Sequence, residues 1–215
     1  MRLLWLASPA LPIGAYAYSR GLEQAVDVGF ITDVKSAADW ITGVLEYQVA
    51  TLDAPVLARL HDAYATDSEL EVERWNRFMC AARESAESAL EDRQLGLSLG
   101  KVLREAGVAR AHVVAQDASY AQWFALACVH WGASRADCVL AYMFAFAEGQ
   151  VTAASKLVPL GQSAAQRVMT LLMSAIEPLA AHALTLGDHE LGAFTPGQAL
   201  ASMLHETQYT RLFRS

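Results

Sequence analysis

Apolar residues recur at three- and four-residue intervals along most of this chain, the spacing that lines one face of an α-helix. Residues 8–18 break the pattern with two prolines and a glycine among apolar neighbours, which predicts an ordered loop lying on the core. Ser19 caps a first helix that runs to about Val28 and stops at Gly29. Thr32 or Asp33 opens the next, with Val34, Ala38, Ile41, Leu45 and Val49 on its inward stripe, and Asp53 with Pro55 is expected to reset the chain. Ser68 and Glu71 match a capping box ahead of Val72, Trp75 and Met79. A long polar helix follows from Arg83 to Ala106, with Leu99, Val102 and Leu103 toward its buried end and Gly107 as its stop. The segments 120–133 and 138–147 read as a buried helical pair.

Lys156-Leu157-Val158-Pro159-Leu160-Gly161-Gln162 interrupts an apolar, helix-forming region with a proline and a glycine, both locally costly inside a helix. The chain is expected to break near Val158 and to place Pro159 in the first turn of a new helix. That helix would bury Leu160, Ala164, Val168, Leu171, Ala175 and Leu179, with Gln162, Gln166 and Thr170 on another face. Amides donate and accept hydrogen bonds without ionising, so this row suits recognition. Thr195, Pro196 and Gln198 mark the start of the last helix. The whole reads as an all-α, single-domain bundle of about eight to ten helices over residues 1–215, with no significant sheet.

Composition narrows the function. The formal charge of −7 opposes broad nucleic-acid binding, which needs a basic face. The longest clean apolar run, Cys138 to Ala147, is about half of the ~20 residues a membrane span requires. No secretory leader pattern opens the chain, and Cys80, Cys128 and Cys138 lack metal-finger spacing, so reduced, buried thiols in the cytoplasm are expected.

Gly96-Leu97-Ser98-Leu99-Gly100-Lys101-Val102 imitates a phosphate loop. It has three residues between its glycines rather than four, and Val102 where the magnesium-binding hydroxyl belongs, so it reads as helix. Asp188-His189-Glu190, with His182 upstream, offers metal-ligating types, but three successive residues rarely converge on one ion and a solvated loop is expected. Cys128 and His130 fall on different helix faces and are expected to sit separately in the core. Glu84, Glu87 and Glu91 share a mixed-charge helix with Arg83 and Arg93 and read as a solvated face. No nucleophile elbow or activated thiol is present, and no enzyme is expected.

Three blocks carry a resemblance. They are Leu6-Ala7-Ser8-Pro9-Ala10-Leu11-Pro12-Ile13-Gly14 with Tyr18-Ser19-Arg20-Gly21-Leu22-Glu23; the proline-glycine break with Gln166-Arg167; and His205-Glu206-Thr207-Gln208-Tyr209-Thr210-Arg211-Leu212-Phe213-Arg214-Ser215. In this order and at these distances they resemble the UreF family of urease accessory proteins. The resemblance implies the same all-helical fold and a non-enzymatic scaffold without a cofactor. Such a scaffold joins the UreD (or UreH) accessory protein to the GTPase UreG on the urease apoprotein, self-associates as a homodimer, and couples GTP hydrolysis to nickel insertion.

The matching positions expected to meet partners are Lys156, Gln162, Gln166, Arg167, Arg211, Arg214, Tyr18 and Glu23. Pro159, Gly161 and Gly21 are expected to shape the backbone rather than touch anything. The loop at about 7–18 and the tail at about 205–215 are the expected contact segments. Within the first block, Gly14-Ala15-Tyr16-Ala17-Tyr18 departs from the second glycine and the phenylalanine of many relatives, leaving the loop less flexible. A helical nickel carrier using His, Asp and Glu residues is the alternative.

Overall fold

The computed structural model describes residues 1–158 and 160–214, and Pro159 and Ser215 lie outside the described residues. Ten α-helices and no strand occur among the described residues, as the periodicity predicts. They are α1 (Arg2–Leu6), α2 (Leu22–Asp27), α3 (Val34–Val44), α4 (Ala54–Ala65), α5 (Glu69–Ala81), α6 (Ala86–Glu105), α7 (Tyr120–His130), α8 (Arg135–Leu157), α9 (Gln162–Ala183) and α10 (Pro196–His205). Helix α7 is buried at every position from Tyr120 to Cys128, which places it at the centre of the bundle. Helices α4 and α6 pack on it, α4 also meets α5 and α8, and α8 carries α9 on its other side. Among the described residues no helix is long and apolar enough to cross a membrane.

Pro55 does not reset the chain. Residues Leu45–Asp53 form a π-helix that joins α3 to α4 without a break, with Pro55 in the first turn of α4. A proline leaves the carbonyl four residues earlier without its donor. Here that carbonyl, on Thr51, accepts the N–H of Gly192 at 3.1 Å, and the Tyr47 carbonyl accepts the N–H of Phe194 at 3.0 Å. The segment leading into α10 therefore docks on groups that an ordinary helix would keep for itself.

Other local expectations change for identifiable reasons. Helix α6 begins at Ala86, not Arg83, because Ser85 and Ser88 form a reciprocal cap. Ser68 precedes α5 without a side-chain cap bond, since Glu71 turns to the Trp75 indole N–H at 3.1 Å and to Arg74 at 3.2 Å. The buried stripe of α9 is Ala164, Val168, Leu172, Ile176 and Ala180, and Leu171 is exposed. Cys80 and His130 lie on the surface, while Cys128 and Cys138 are buried.

The phosphate-loop lookalike is continuous helix inside α6. Its glycines admit α7: a Cβ on Gly96 would stand 2.5 Å from the Ala118 carbonyl oxygen, and one on Gly100 would stand 2.6 Å from the Trp123 ring. Replacing Gly96 with alanine gains about 1 kcal/mol of helix propensity, yet backbone cannot yield as a side chain can, and overpacking costs about 1–3 kcal/mol. Gly96→Ala is expected to be net destabilising by up to about 2 kcal/mol, read as a lower urea midpoint at unchanged slope; a raised midpoint would refute the packing account.

Candidate functional site

The first and last blocks of the chain meet. Gly21 opens α2 at φ +79°, a left-handed conformation that glycine adopts without strain. Close packing gives a second reason for glycine here. A Cβ there would lie 3.0 Å from the Ser202 amide nitrogen and 3.2 Å from the Gln198 carbonyl oxygen, so α10 crosses α2 directly over this residue. At the far side of that crossing, Ser202 and Ser85 share a hydroxyl hydrogen bond of 2.7 Å, tying α10 to the cap of α6.

The end of α10 carries a buried histidine held between two carboxylates. His205 is fully buried, with Nδ1 2.8 Å from Glu87 Oε2 and Nε2 3.1 Å from Glu23 Oε2. The tail then folds back over the same carboxylates. Arg211 Nη1 donates to Glu87 Oε1 at 2.8 Å, and the N–H groups of Leu212 and Phe213 donate to the two Glu23 oxygens at 2.6 and 2.9 Å. Arg214 N–H donates to the Ala17 carbonyl at 2.8 Å. Carboxylates taken out of water need this many donors, because each unmet charge costs several kcal/mol. The tail is thus tied to its own chain; Phe213 is buried, and Leu212 and Arg214 remain exposed.

The third block reaches the same place from above. Lys156, in the last turn of α8, holds its ammonium 5.4 Å from the Phe213 ring centroid and 5.7 Å from that of Tyr16. Val158 leaves the helix with an extended backbone, and α9 starts at Gln162 with Gly161 as its cap, so the helix opens after the proline position rather than around it. Gly161 has φ −65°, which any residue adopts. Pro159, expected in that first turn, lies outside the described residues. Gln162, Gln166 and Arg167 are exposed on the first turns of α9, and their side chains have no hydrogen-bond partner among the described residues.

Tyr18 is buried and donates its hydroxyl hydrogen bond to Gln94. Of the expected positions, Lys156, Arg211, Arg214, Tyr18 and Glu23 therefore share one region, and the amide row stands beside it on α9.

Beneath this region lies a second charged group, of which the sequence reading placed Arg83 and Glu91 on a solvated face. Arg83 bridges Asp53 and Asp92 at 2.8 Å each, and Arg20 pairs with Glu91 at 2.7 Å. Glu87 and Glu91 are buried, together with Asp92, which corrects the reading of a solvated face at those two glutamates, while Glu84 and Arg93, named in the same reading, are exposed. Burial alone would lower both guanidiniums; Glu91 beside Arg20, and Asp53 with Asp92 beside Arg83, override it and hold them above their ordinary range. Burial pushes the Asp92 carboxyl up against the opposing pull of Arg83. The available signal was positional, since Glu91 and Asp92 stand one turn before Leu95 on the stripe that buries Leu95, Leu99 and Leu103.

Asp188 is likewise not loose. Its two oxygens accept from Arg59 at 2.8 Å and Arg74 at 3.1 Å, and both arginines stack on Trp75. No group of three or more His, Cys, Asp or Glu residues that could hold a metal ion occurs among the described residues. What the arrangement offers is an exposed face with fixed cations, aromatic surface and neutral amides, backed by a buried set of ion pairs.

The chain resembles known proteins over its full length. The family model described as UreF matches residues 31–173. The urease accessory protein UreF of Teredinibacter turnerae is 46% identical over 216 residues, covering 100% of this chain and 98% of the relative. That of Alkalilimnicola ehrlichii is 44% identical over 217 residues, covering 100% and 95%. The UreF of Azoarcus sp. is 46% identical over 223 residues, with the same shares.

Proposed function

The chain belongs to the UreF family of urease accessory proteins, with a role in urease maturation, and from that premise we propose a non-enzymatic scaffold. In this reading it joins the UreD (or UreH) accessory protein to the GTPase UreG on the urease apoprotein, works as a homodimer, and couples GTP hydrolysis to nickel insertion in the cytoplasm. The observation that carries the reading is convergence. Lys156, Tyr16 and Phe213 come from three segments far apart in sequence, and the exposed Lys156 ammonium stands over both rings, that of the exposed Tyr16 and that of the buried Phe213. Tyrosine, exposed here at Tyr16, is among the residue types enriched at interface hot spots.

Lys156, Arg214 and the exposed edge of Arg211 offer cations to acidic groups on a partner, while Gln162, Gln166 and Arg167 extend that edge along α9. Tyr18 and Glu23, both buried, act by holding the surface in shape. Co-purification with UreD and UreG tests this. Lys156→Ala and Arg211→Ala are each expected to weaken capture about tenfold or more, the loss of roughly 1.4 kcal/mol or above, and to reduce urease activation in step. Wild-type levels of complex and activation in both variants would remove these residues from the interface. Failure of the wild-type chain to join either protein would remove the scaffold.

A further inference from the structure

We propose that the cleft between the N-terminal loop and α8 is a socket for a basic side chain on an apolar stem, a lysine or arginine presented by a protein docked on this face; the source of that side chain rests on the docking reading above. The walls are apolar, from Leu11, Ile13, Leu95 and Phe146. Several polar groups in the lining, Gln150 and Thr152 among them, have no hydrogen-bond partner among the described residues, and two of these groups decide the occupant. Glu148 is a partly buried carboxylate with no hydrogen-bond or ion-pair partner among the described residues. Tyr120 is buried to more than nine-tenths, and its hydroxyl likewise has no hydrogen-bond partner among them.

The charge balance selects the occupant. Arg20 also lines the cleft, but Glu91 neutralises it at 2.7 Å. Glu148 is left as the unbalanced charge, so an anion is repelled and a cation is attracted. A carboxylate already stripped of part of its water interacts more strongly with a cation than a solvated one does. The same burial raises the Glu148 carboxyl above its ordinary range, in line with a missing counter-charge. The chain does not supply that charge itself: Lys156, about two helical turns further along α8, stands over Tyr16 and Phe213.

Shape and position agree with this. The interior space of about 80 Å³ is several times the ~10–15 Å³ that admits one water, so a slender alkyl stem fits. Tyr16 lines the cleft and also stands beneath Lys156, so the mouth opens onto the face already assigned to partners.

The test titrates n-hexylamine, 1-hexanol and hexanoate into the full chain, following backbone amide shifts of residues 145–152. Hexylamine is expected to bind at least tenfold more tightly than hexanol, and hexanoate more weakly than either. Glu148→Gln, judged folded by an otherwise unchanged amide spectrum, is expected to bring hexylamine down to the affinity of hexanol. Equal affinities for hexylamine and hexanol in the wild type, or hexylamine binding indifferent to Glu148→Gln, would overturn the socket. These titrations need no partner protein. Hexylamine binding without capture of UreD or UreG would keep the socket and sink the docking reading, whereas capture without hexylamine binding would do the reverse.

Discussion

Replacing Arg83 with methionine is expected to cost about 3–5 kcal/mol of folding stability, the range found when one partner of a buried ion pair is removed. The side chain is 7% exposed, and its loss leaves Asp53 and Asp92, at 1% and 9%, without their counter-ion. The cost comes from those stranded carboxylates rather than from the attraction lost, because desolvated charges in a bundle core have no water to return to. Arg77→Met supplies the contrast. Arg77 pairs with Glu73, but both are more than half exposed, and surface pairs of this kind contribute about 0–1 kcal/mol. Urea unfolding of the two variants reads the difference directly. A loss below about 1 kcal/mol for Arg83→Met would mean that the buried carboxylates are neutral or hydrated. Replacing Arg83, Asp53 and Asp92 together by apolar residues of like volume is expected to recover most of the stability, since the desolvation cost disappears with the charges.

Glu23→Ala is the second large expected effect, and it falls on the tail rather than on the core. The Glu23 carboxylate accepts from two consecutive backbone amides and faces the His205 ring. Hydrogen bonds to a charged group contribute about 1.5–3 kcal/mol each. Losing this acceptor is expected to raise the population of the undocked tail by about 100-fold, equivalent to about 3 kcal/mol. Amide hydrogen exchange at Leu212 and Phe213 should lose that protection while α7 amides keep theirs, because the core does not depend on the tail. Undiminished protection at those two amides would show that Phe213 burial alone holds the tail. Lys156 stands over Phe213, so tail release should also remove one of the two rings beneath its ammonium.

Both predictions concern residues whose roles were only partly legible in sequence. Glu23 and His205 stand in the blocks that carry the family resemblance, and the resemblance marked the tail as a contact segment. Nothing along the chain said that the two residues face each other, 182 positions apart. Glu87 and Glu91 misled more openly: acidic residues interleaved with arginines are usually solvated, and here they are buried because Arg20, His205 and Arg211 arrive from elsewhere. Leu171 was misassigned by a smaller margin. A stripe stepped by three and four residues leaves a choice at each step, and packing of α9 against α8 selected Leu172.

What the sequence determined by itself is therefore the local part. Helical character, the stops at Gly29 and Gly107, the start at Thr195-Pro196 and the interruption between α8 and α9 follow from backbone preferences and caps, which act among residues within one or two turns. Tertiary structure decided the continuity through Pro55, the burial of the acidic stripe and the seating of the tail. Each of these depends on a distant donor: Gly192 for the Thr51 carbonyl, Arg20 for Glu91, and the Phe213 amide for Glu23 across 190 positions. A charge or an unpaired carbonyl is tolerable in a core only where its partner arrives, and that partner is set by how the helices pack.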